Sequence, residues 1–137
     1  MTRITRDGML LQIAEVVAQR GTCLRKQVGA VIARDGRVLS IGYNGPPSGL
    51  DHCAEFGCDV SRPCERAVHA EANAIAFAAR VGISVQGAAL FCTTGPCRQC
   101  AELIINSGIG RVIYLESYRD NSGVDLLWHA NIPHARA

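Results

Sequence analysis

Residues 67–80 read AVHAEANAIAFAAR, and this stretch decides the fold. It contains seven alanines and neither glycine nor proline, a composition that predicts a helix because alanine is the strongest helix former. Apolar side chains lie on nearly every face of this helix, so we expect both of its sides to be buried. A sheet would cover one side and a neighbouring subunit the other, while His69 and Glu71 stand at its start.

The residues on either side of this helix predict further helices that alternate with strands. Additional helices are predicted at residues 5–20, 97–107 and, as a last turn, 126–130. Strands are predicted at residues 27–33, 38–43, 88–93 and 111–116. An Asp-Gly turn joins the first two strands into an antiparallel hairpin, whereas the last strands run parallel. The pattern predicts one α/β domain over residues 1–137, a three-layer α/β/α sandwich around a mixed sheet of about five strands.

Length and composition limit the class of protein. The chain has 137 residues, 48% of them hydrophobic, which is enough to bury the core of one domain. No apolar run approaches the roughly 20 residues of a membrane span, and the first residues lack a secretory segment. We therefore expect a cytoplasmic protein without a membrane partner. A formal net charge of +2 is too small to indicate a nucleic-acid partner.

The cysteines indicate a metal site. Their number, seven, is odd, and without a secretory segment an odd number disfavours a disulfide framework. Cys97 and Cys100 are three residues apart at the start of a predicted helix, so they lie on one face of it. The partial positive charge of a helix N-terminus favours both thiolates. With His69, they would bind Zn²⁺ in three positions and leave a fourth open for water, as catalytic zinc requires.

Glu71 is the predicted proton carrier beside this metal. Zinc lowers the pKa of bound water from 15.7 to about 7, and a nearby carboxylate can accept the water's proton and return it. His69 and Glu71 would point to different sides of a regular helix, so we expect His69 to precede the first turn. Each part alone is ambiguous, since a Cys-x-x-Cys pair also serves redox or structural zinc sites. The parts become specific together, because each opens a helix.

Several segments carry a resemblance to a known family. In order, they are QVGAVI at 27–32, GYNGPPSG at 42–49, HAEANAI at 69–75, PC at 96–97, CA at 100–101 and IINSGI at 104–109. His-x-Glu with Pro-Cys-x-x-Cys is the established signature of zinc deaminases. The chain resembles deoxycytidylate (dCMP) deaminases of the bacterial and phage type over residues 5–132. The resemblance implies the cytidine-deaminase-like fold and zinc-dependent hydrolysis of dCMP to dUMP and ammonia, which supplies dUMP for thymidylate synthesis. It also implies a homo-oligomer, often a hexamer.

The same resemblance implies residues that bind the substrate. Asn44 would contact the sugar, for which its amide is suited, although an Asn can also serve the turn in which it lies. The backbone of Ala70 and of Thr94 would bind the edge of the base.

The 5′-phosphate requires positive charge or N–H groups. Arg25 and Lys26 are the nearest candidates in sequence, and Tyr118 could close over the nucleotide. Solvated charges and a packed ring are the alternative interpretation of these three residues.

Five cysteines remain. Cys92 lies within a predicted strand and is expected to pack as a small apolar residue. The other four are Cys23, Cys53, Cys58 and Cys64, and together they indicate a closed structural zinc site. The resemblance supports Cys23 and Cys53 as ligands of this zinc. His52 is the alternative ligand.

The resemblance also raises the question of regulation. Many relatives are activated by dCTP and inhibited by dTTP at subunit contacts, and residues at those positions are present here as Gly45, Phe77 and Arg80. Three other functions stay open: a deaminase of another cytosine or guanine compound, a zinc-stapled binding module without turnover, and an inactive regulatory subunit. Glu71 argues against the binding module, because a structural zinc site needs no acid beside it.

Overall fold

Helices and strands alternate along the chain, and the computed structural model describes residues 1–62 and 64–137. The helices are α1 (Arg6–Ala18), α2 (Cys53–Phe56), α3 (Ala70–Arg80), α4 (Arg98–Ser107) and α5 (Ser122–His129). The strands are β1 (Gly29–Arg34), β2 (Arg37–Tyr43), β3 (Ala89–Thr94), β4 (Arg111–Glu116) and β5 (His134–Arg136).

The strands form one mixed sheet in the order β2-β1-β3-β4-β5. β1 is antiparallel to both β2 and β3, whereas β3, β4 and β5 run parallel to one another. The turn between β1 and β2 places Asp35 and Gly36 at φ of 54° and 73°, the left-handed conformation of the predicted Asp-Gly hairpin. The predicted mixed, five-stranded sheet is therefore confirmed.

Alternate residues of the central strands face two separate layers of helix. Val31 and Phe91 pack with α1 on one face of the sheet, whereas Ile32 and Leu90 pack with α3 and α4 on the other. This alternation follows from the two-residue period of a strand. The three-layer α/β/α architecture is confirmed, with an apolar core on each face of the sheet. None of the described helices has the length and hydropathy to cross a membrane.

Apart from shifts of one or two residues, the elements differ from the prediction at α3, α5, β5 and α2. The central helix starts at Ala70 instead of residue 67, because Val68 is extended and exchanges two backbone hydrogen bonds with Gly45. The predicted last turn is the longer helix α5, and the sequence analysis did not predict β5 or the short helix α2. On the outer side of α3 Phe77 is 38% exposed, so its covering by a second subunit stays a prediction.

The start of α3 is held against the sheet at very short range. A Cβ atom on Gly42 of β2 would lie 2.2 Å from the carbonyl oxygen of Ala70, so only glycine allows this approach. The Asn73 side chain donates a hydrogen bond to the carbonyl of Tyr43 at 2.8 Å. Ser40 donates another to the carbonyl of Ala74 at 2.7 Å. These contacts fix the first turn of α3, which includes Glu71, at one end of the sheet.

Candidate active site

Two helix starts bring three metal-binding atoms together. His69 is the residue before α3, in an extended conformation with φ −69° and ψ 154°, as predicted. Its Nδ1 atom lies 3.4 Å from Sγ of Cys97 and 3.5 Å from Sγ of Cys100. Cys97 is the residue before α4, and its sulfur accepts the backbone N–H of Cys100. In the part of the chain that the structure describes, this is the only group of three potential ligands within 4.8 Å of one another.

The two sulfurs are electrostatically prepared for a cation. The thiol of Cys100 hydrogen-bonds to Cys97, which lowers the pKa of Cys97 to about 4 and raises that of Cys100. The hydrogen bond to Cys97 also raises the pKa of His69. The pair of sulfurs therefore already carries one negative charge, and a divalent metal would displace the second proton. Two sulfurs and one imidazole nitrogen are a donor set that suits zinc.

Glu71 is buried beside these ligands. Only 4% of its surface is exposed, and burial raises the pKa of its carboxyl group from 4.5 to about 7. A carboxyl group with this pKa exchanges its proton readily near neutral pH, as a general acid–base catalyst must. Cys92 is fully buried in β3, as predicted, and burial together with the charge of Glu71 raises the pKa of its thiol.

A cavity of about 320 Å³ opens next to the ligands and Glu71. Its walls include all six residues that were candidates for substrate binding: Arg25, Lys26, Asn44, Ala70, Thr94 and Tyr118. Arg119 also lines the cavity, and the sequence analysis missed it. The feature of the sequence that could have revealed Arg119 is its position one residue after Tyr118, beyond the carboxyl end of a parallel strand. Ligands of α/β proteins commonly bind at such strand ends.

Asn44 supports the cavity wall through backbone contacts. Its Oδ1 accepts the N–H of Val28 at 2.8 Å, and its Nδ2 donates to the carbonyl of Lys26 at 2.7 Å. Asn44 therefore has the structural role that was the alternative to sugar binding, since its side chain holds nearby backbone in place. An amide has two donors and two acceptor positions, so one of each remains for a ligand.

The other polar residues of the cavity differ in whether their side chains already have a hydrogen-bond or ion-pair partner. Lys26 pairs with Glu116 at 2.9 Å, and Arg25 donates to the carbonyl of Asp59 at 3.4 Å. The hydroxyl oxygen of Thr94 is buried and has no hydrogen-bond partner among the described residues. Tyr118 is half-buried, with the guanidinium carbon of Arg119 at 5.4 Å from its ring centroid.

Cys53 lies near Cys23, Cys58 and Cys64, but these four sulfurs are less closely grouped than the ligand atoms of His69, Cys97 and Cys100. Burial is the main cause of the raised pKa of Cys53, and the charges of Cys58, Cys23 and Cys64 raise it further. No three of these sulfurs lie within 4.8 Å of one another. The alternative ligand, His52, directly precedes α2, and its backbone N–H donates to Glu55.

Comparison with known proteins identifies the family. Residues 4–116 match the cytidine and deoxycytidylate deaminase zinc-binding region. ComE operon protein 2 of Bacillus subtilis (strain 168) is 41% identical over 120 residues, which are 87% of this chain and 64% of that protein. The deoxycytidylate deaminase of Mycobacterium phage D29 is 41% identical over 126 residues, covering 83% of this chain and 97% of that one. The chain belongs to the cytidine and deoxycytidylate deaminase family.

A solved structure agrees with this assignment. The dCMP deaminase of the cyanophage S-TIM5, in complex with dCMP and dUMP, superposes with a TM-score of 0.90 at 30% identity, and the match covers 100% of both chains. The resemblance drawn from the sequence is thereby confirmed, as is the cytidine-deaminase-like fold. The length of relatives varies, since the chain spans only 45% of the Saccharomyces cerevisiae deoxycytidylate deaminase.

We expect Glu71→Gln to change how stability depends on pH in protein stripped of metal. Because the pKa of Glu71 is raised from 4.5 to about 7, the folded chain holds this proton more tightly than the unfolded chain. The resulting stability is present below pH 4.5 and is lost as the pH rises through about 7. The free energy of unfolding of the wild type should therefore fall across this window relative to that of Glu71→Gln, whose amide cannot ionise.

Urea unfolding of both stripped proteins, at pH values below and above this window, measures the effect. Titrating groups that do not interact with Glu71 contribute equally in the two proteins, so their contributions cancel in the difference. A difference in stability that stays constant with pH would contradict the raised pKa.

Proposed function

We propose that this chain catalyses the hydrolytic deamination of dCMP to dUMP with release of ammonia. One observation carries the proposal: the buried carboxyl group of Glu71, with a pKa of about 7, lines one cavity with His69 and Cys97, which form a potential metal site with Cys100. A purely structural metal site needs neither the carboxyl group nor the cavity. The volume of about 320 Å³ is within the range of small-molecule sites.

The residues present fit zinc, which would be held by His69, Cys97 and Cys100. When bound there, it supplies a Lewis acid that makes water a nucleophile near neutral pH. Glu71 takes a proton from the attacking water and transfers it to the ring nitrogen N3 of cytosine. A second transfer through the same carboxyl group protonates the amino group on C4, which leaves as ammonia. Water supplies the new carbonyl oxygen, so the atoms balance: dCMP and water give dUMP and ammonia.

The cavity walls orient the base and exclude bulk water. The backbone of Ala70 and of Thr94, which both line the cavity, would pair with the edge of the base, and the buried hydroxyl group of Thr94 has no partner of its own among the described residues. The free donor and acceptor of Asn44 suit a sugar hydroxyl. The low exposure of Glu71 leaves little room for bulk water to compete with the substrate for its carboxyl group.

The proposed reaction is tested by measuring ammonia release from dCMP, deoxycytidine, CMP and guanine under the same conditions. We expect activity on dCMP, and we expect Glu71→Ala to lower kcat by at least ~10²–10⁴-fold, the usual contribution of general acid–base catalysis. Glu102→Ala is the matched control, because Glu102 is an exposed carboxylate of α4 that pairs with Arg98 outside the cavity. Absence of ammonia from dCMP, or full activity in Glu71→Ala, would refute the proposal.

We further propose a second, structural zinc held by Cys23, Cys53, Cys58 and Cys64, with His52 as the alternative ligand. Support comes from Cys58, Cys23 and Cys64, which lie near enough to Cys53 for their charges to raise its pKa. Cys64 additionally accepts the backbone N–H of Ala67 at 3.3 Å, and this hydrogen bond is the main cause of its lowered pKa. A cation would draw these sulfurs closer and link the end of α1 to the loop around α2.

Metal analysis of purified protein tests the second zinc. We expect two zinc ions per chain in the wild type and one in Cys58→Ser, because a tetrahedral structural site rarely survives the loss of a thiolate ligand. Cys92→Ala is the control, since Cys92 is buried within β3 and is not among the cysteines whose charges act on Cys53. One zinc per chain in both the wild type and Cys58→Ser would contradict the second site.

The quaternary structure and regulation follow as proposals from the family. We propose a homo-oligomer, in the form of a hexamer, whose activity responds to dCTP and dTTP. A cavity of about 130 Å³ lined by Gly45 and Phe77 supports this, as does the exposed outer side of α3, where Arg80 lies 5.8 Å from the ring centroid of Phe77. The cytoplasmic location stays a prediction from the sequence.

Rate measurements distinguish a regulated enzyme from an unregulated one. In a regulated oligomer, the rate should depend sigmoidally on dCMP concentration, and dCTP should make the curve hyperbolic by favouring the active state. Light scattering under the same conditions gives the oligomeric state. A hyperbolic curve that neither triphosphate changes would count against regulation.

A further inference from the structure

The hydroxyl oxygen of Thr94 is a buried polar atom without a partner at the wall of the substrate cavity. Thr94 is only 8% exposed, and it lines this cavity together with Glu71 and His69. Among the described residues, only Thr22 has another buried side-chain oxygen or nitrogen without a hydrogen-bond partner, and it lines the separate cavity of about 130 Å³. Buried hydroxyl groups of native proteins almost always have a partner, so this exception requires an explanation.

The side chain of Thr94 lies on the side of the sheet that carries the reactive groups. Thr93 and Thr94 end β3, and consecutive residues of a strand face opposite sides. The hydroxyl oxygen of Thr93 accepts the backbone N–H of Gly29 at 3.2 Å. Thr94 shares its side with Cys92, which packs in the same core as Ala70 at the start of α3. The two hydroxyl groups therefore have different surroundings, although they are neighbours in sequence.

The chain that follows Thr94 offers its hydroxyl group no nearby backbone donor. The N–H of Gly95 is already donated to the carbonyl of Glu116 at 2.7 Å. Pro96 has no N–H group, and it occupies the position two residues ahead at which a Thr hydroxyl commonly accepts one. The local sequence thus leaves the hydroxyl group without an internal partner beside the cavity.

We propose that the Thr94 hydroxyl group hydrogen-bonds to the pyrimidine base of the substrate and fixes the base beside Glu71. A hydroxyl group both donates and accepts, so it can pair with the polar edge of cytosine or of uracil. Rotation about the Cα–Cβ bond moves the hydroxyl group between staggered positions, so a ligand can gain this group without movement of the backbone. The inference rests on the proposed deamination of dCMP, and it adds a side chain to the backbone groups that would bind the base.

The proposal implies that one hydroxyl group has opposite effects on the free and the bound protein. Without a ligand, the group is buried without a partner, and this lowers stability relative to an apolar group of the same shape. With a ligand, the group gains a hydrogen bond, so the cost disappears on binding and the affinity increases. Functional sites commonly lose stability in this way in exchange for activity.

Thr94→Val tests the proposal, because valine has nearly the shape of threonine but no hydroxyl group. In calorimetry on zinc-loaded protein, we expect this variant to bind dUMP about 5- to 50-fold more weakly, the factor expected for one buried hydrogen bond. We also expect the Tm of the ligand-free variant to rise by about 3–8 °C, because the unsatisfied group is gone. Thr94→Ser keeps the hydroxyl group and should bind dUMP within about threefold of the wild type.

Thr93→Val is the matched control, since the hydroxyl group of Thr93 already has a partner and Thr93 does not line the cavity. Loss of the hydrogen bond from Gly29 should lower the Tm, while the affinity for dUMP should stay within about twofold of the wild type. The same substitution at two neighbouring residues is thus expected to have opposite effects on stability.

The outcomes separate this inference from the proposed function. Unchanged dUMP affinity in Thr94→Val would overturn the inference, and so would equal weakening in Thr94→Ser, which would assign the effect to the methyl group. A lowered Tm of ligand-free Thr94→Val would overturn it too, because the hydroxyl group would then stabilise the free protein. Failure of the wild type to release ammonia from dCMP, together with the expected pattern of dUMP binding, would instead refute the reaction and leave the role of Thr94 in place.

Discussion

The structure depends on the convergence of two helix starts at one end of a sheet. α3 and α4 both begin beyond the same strand ends, and the residue before each helix, His69 and Cys97, turns its side chain toward the other. Cys100 joins them from the first turn of α4. A helix N-terminus stabilises negative charge, so it suits the thiolates there and disfavours a cation without them. The close approach of β2 to α3, which only glycine at position 42 permits, sets the position of the first of these starts.

The burial of Glu71 has a chemical consequence that its position in sequence does not reveal. A carboxylate withdrawn from water is destabilised, and the proton therefore stays on it to a higher pH. The imidazole of His69 acts in the opposite direction, but burial is the larger effect. A single feature, the first turn of α3 pressed against the sheet, thus both places the acid beside the metal ligands and adjusts it for proton transfer near neutral pH.

The candidate site residues that the structure brings together could be identified from sequence because they are grouped locally and carry distinctive chemistry. His69 with Glu71, and Cys97 with Cys100, are near neighbours along the chain, so their spacing already restricts what they can do. Arg119 was missed because an exposed arginine after a strand has no distinctive spacing, and charged side chains are mostly exposed in any globular protein. Its relevance became visible only when the cavity showed which basic groups already had partners.

By itself, the sequence determined the order of the four longer helices and the first four strands, and it indicated the candidate ligands and acid, because periodicity, turn residues and donor chemistry are local properties of the chain. Only the tertiary structure decided where α3 begins, since the pairing of Val68 with Gly45 overrides the helix propensity of the preceding alanine. It also decided the partners of Lys26 and Asn44, and the addition of β5 at the sheet edge. These features depend on residues far apart in sequence, whose contacts arise only when the chain has folded.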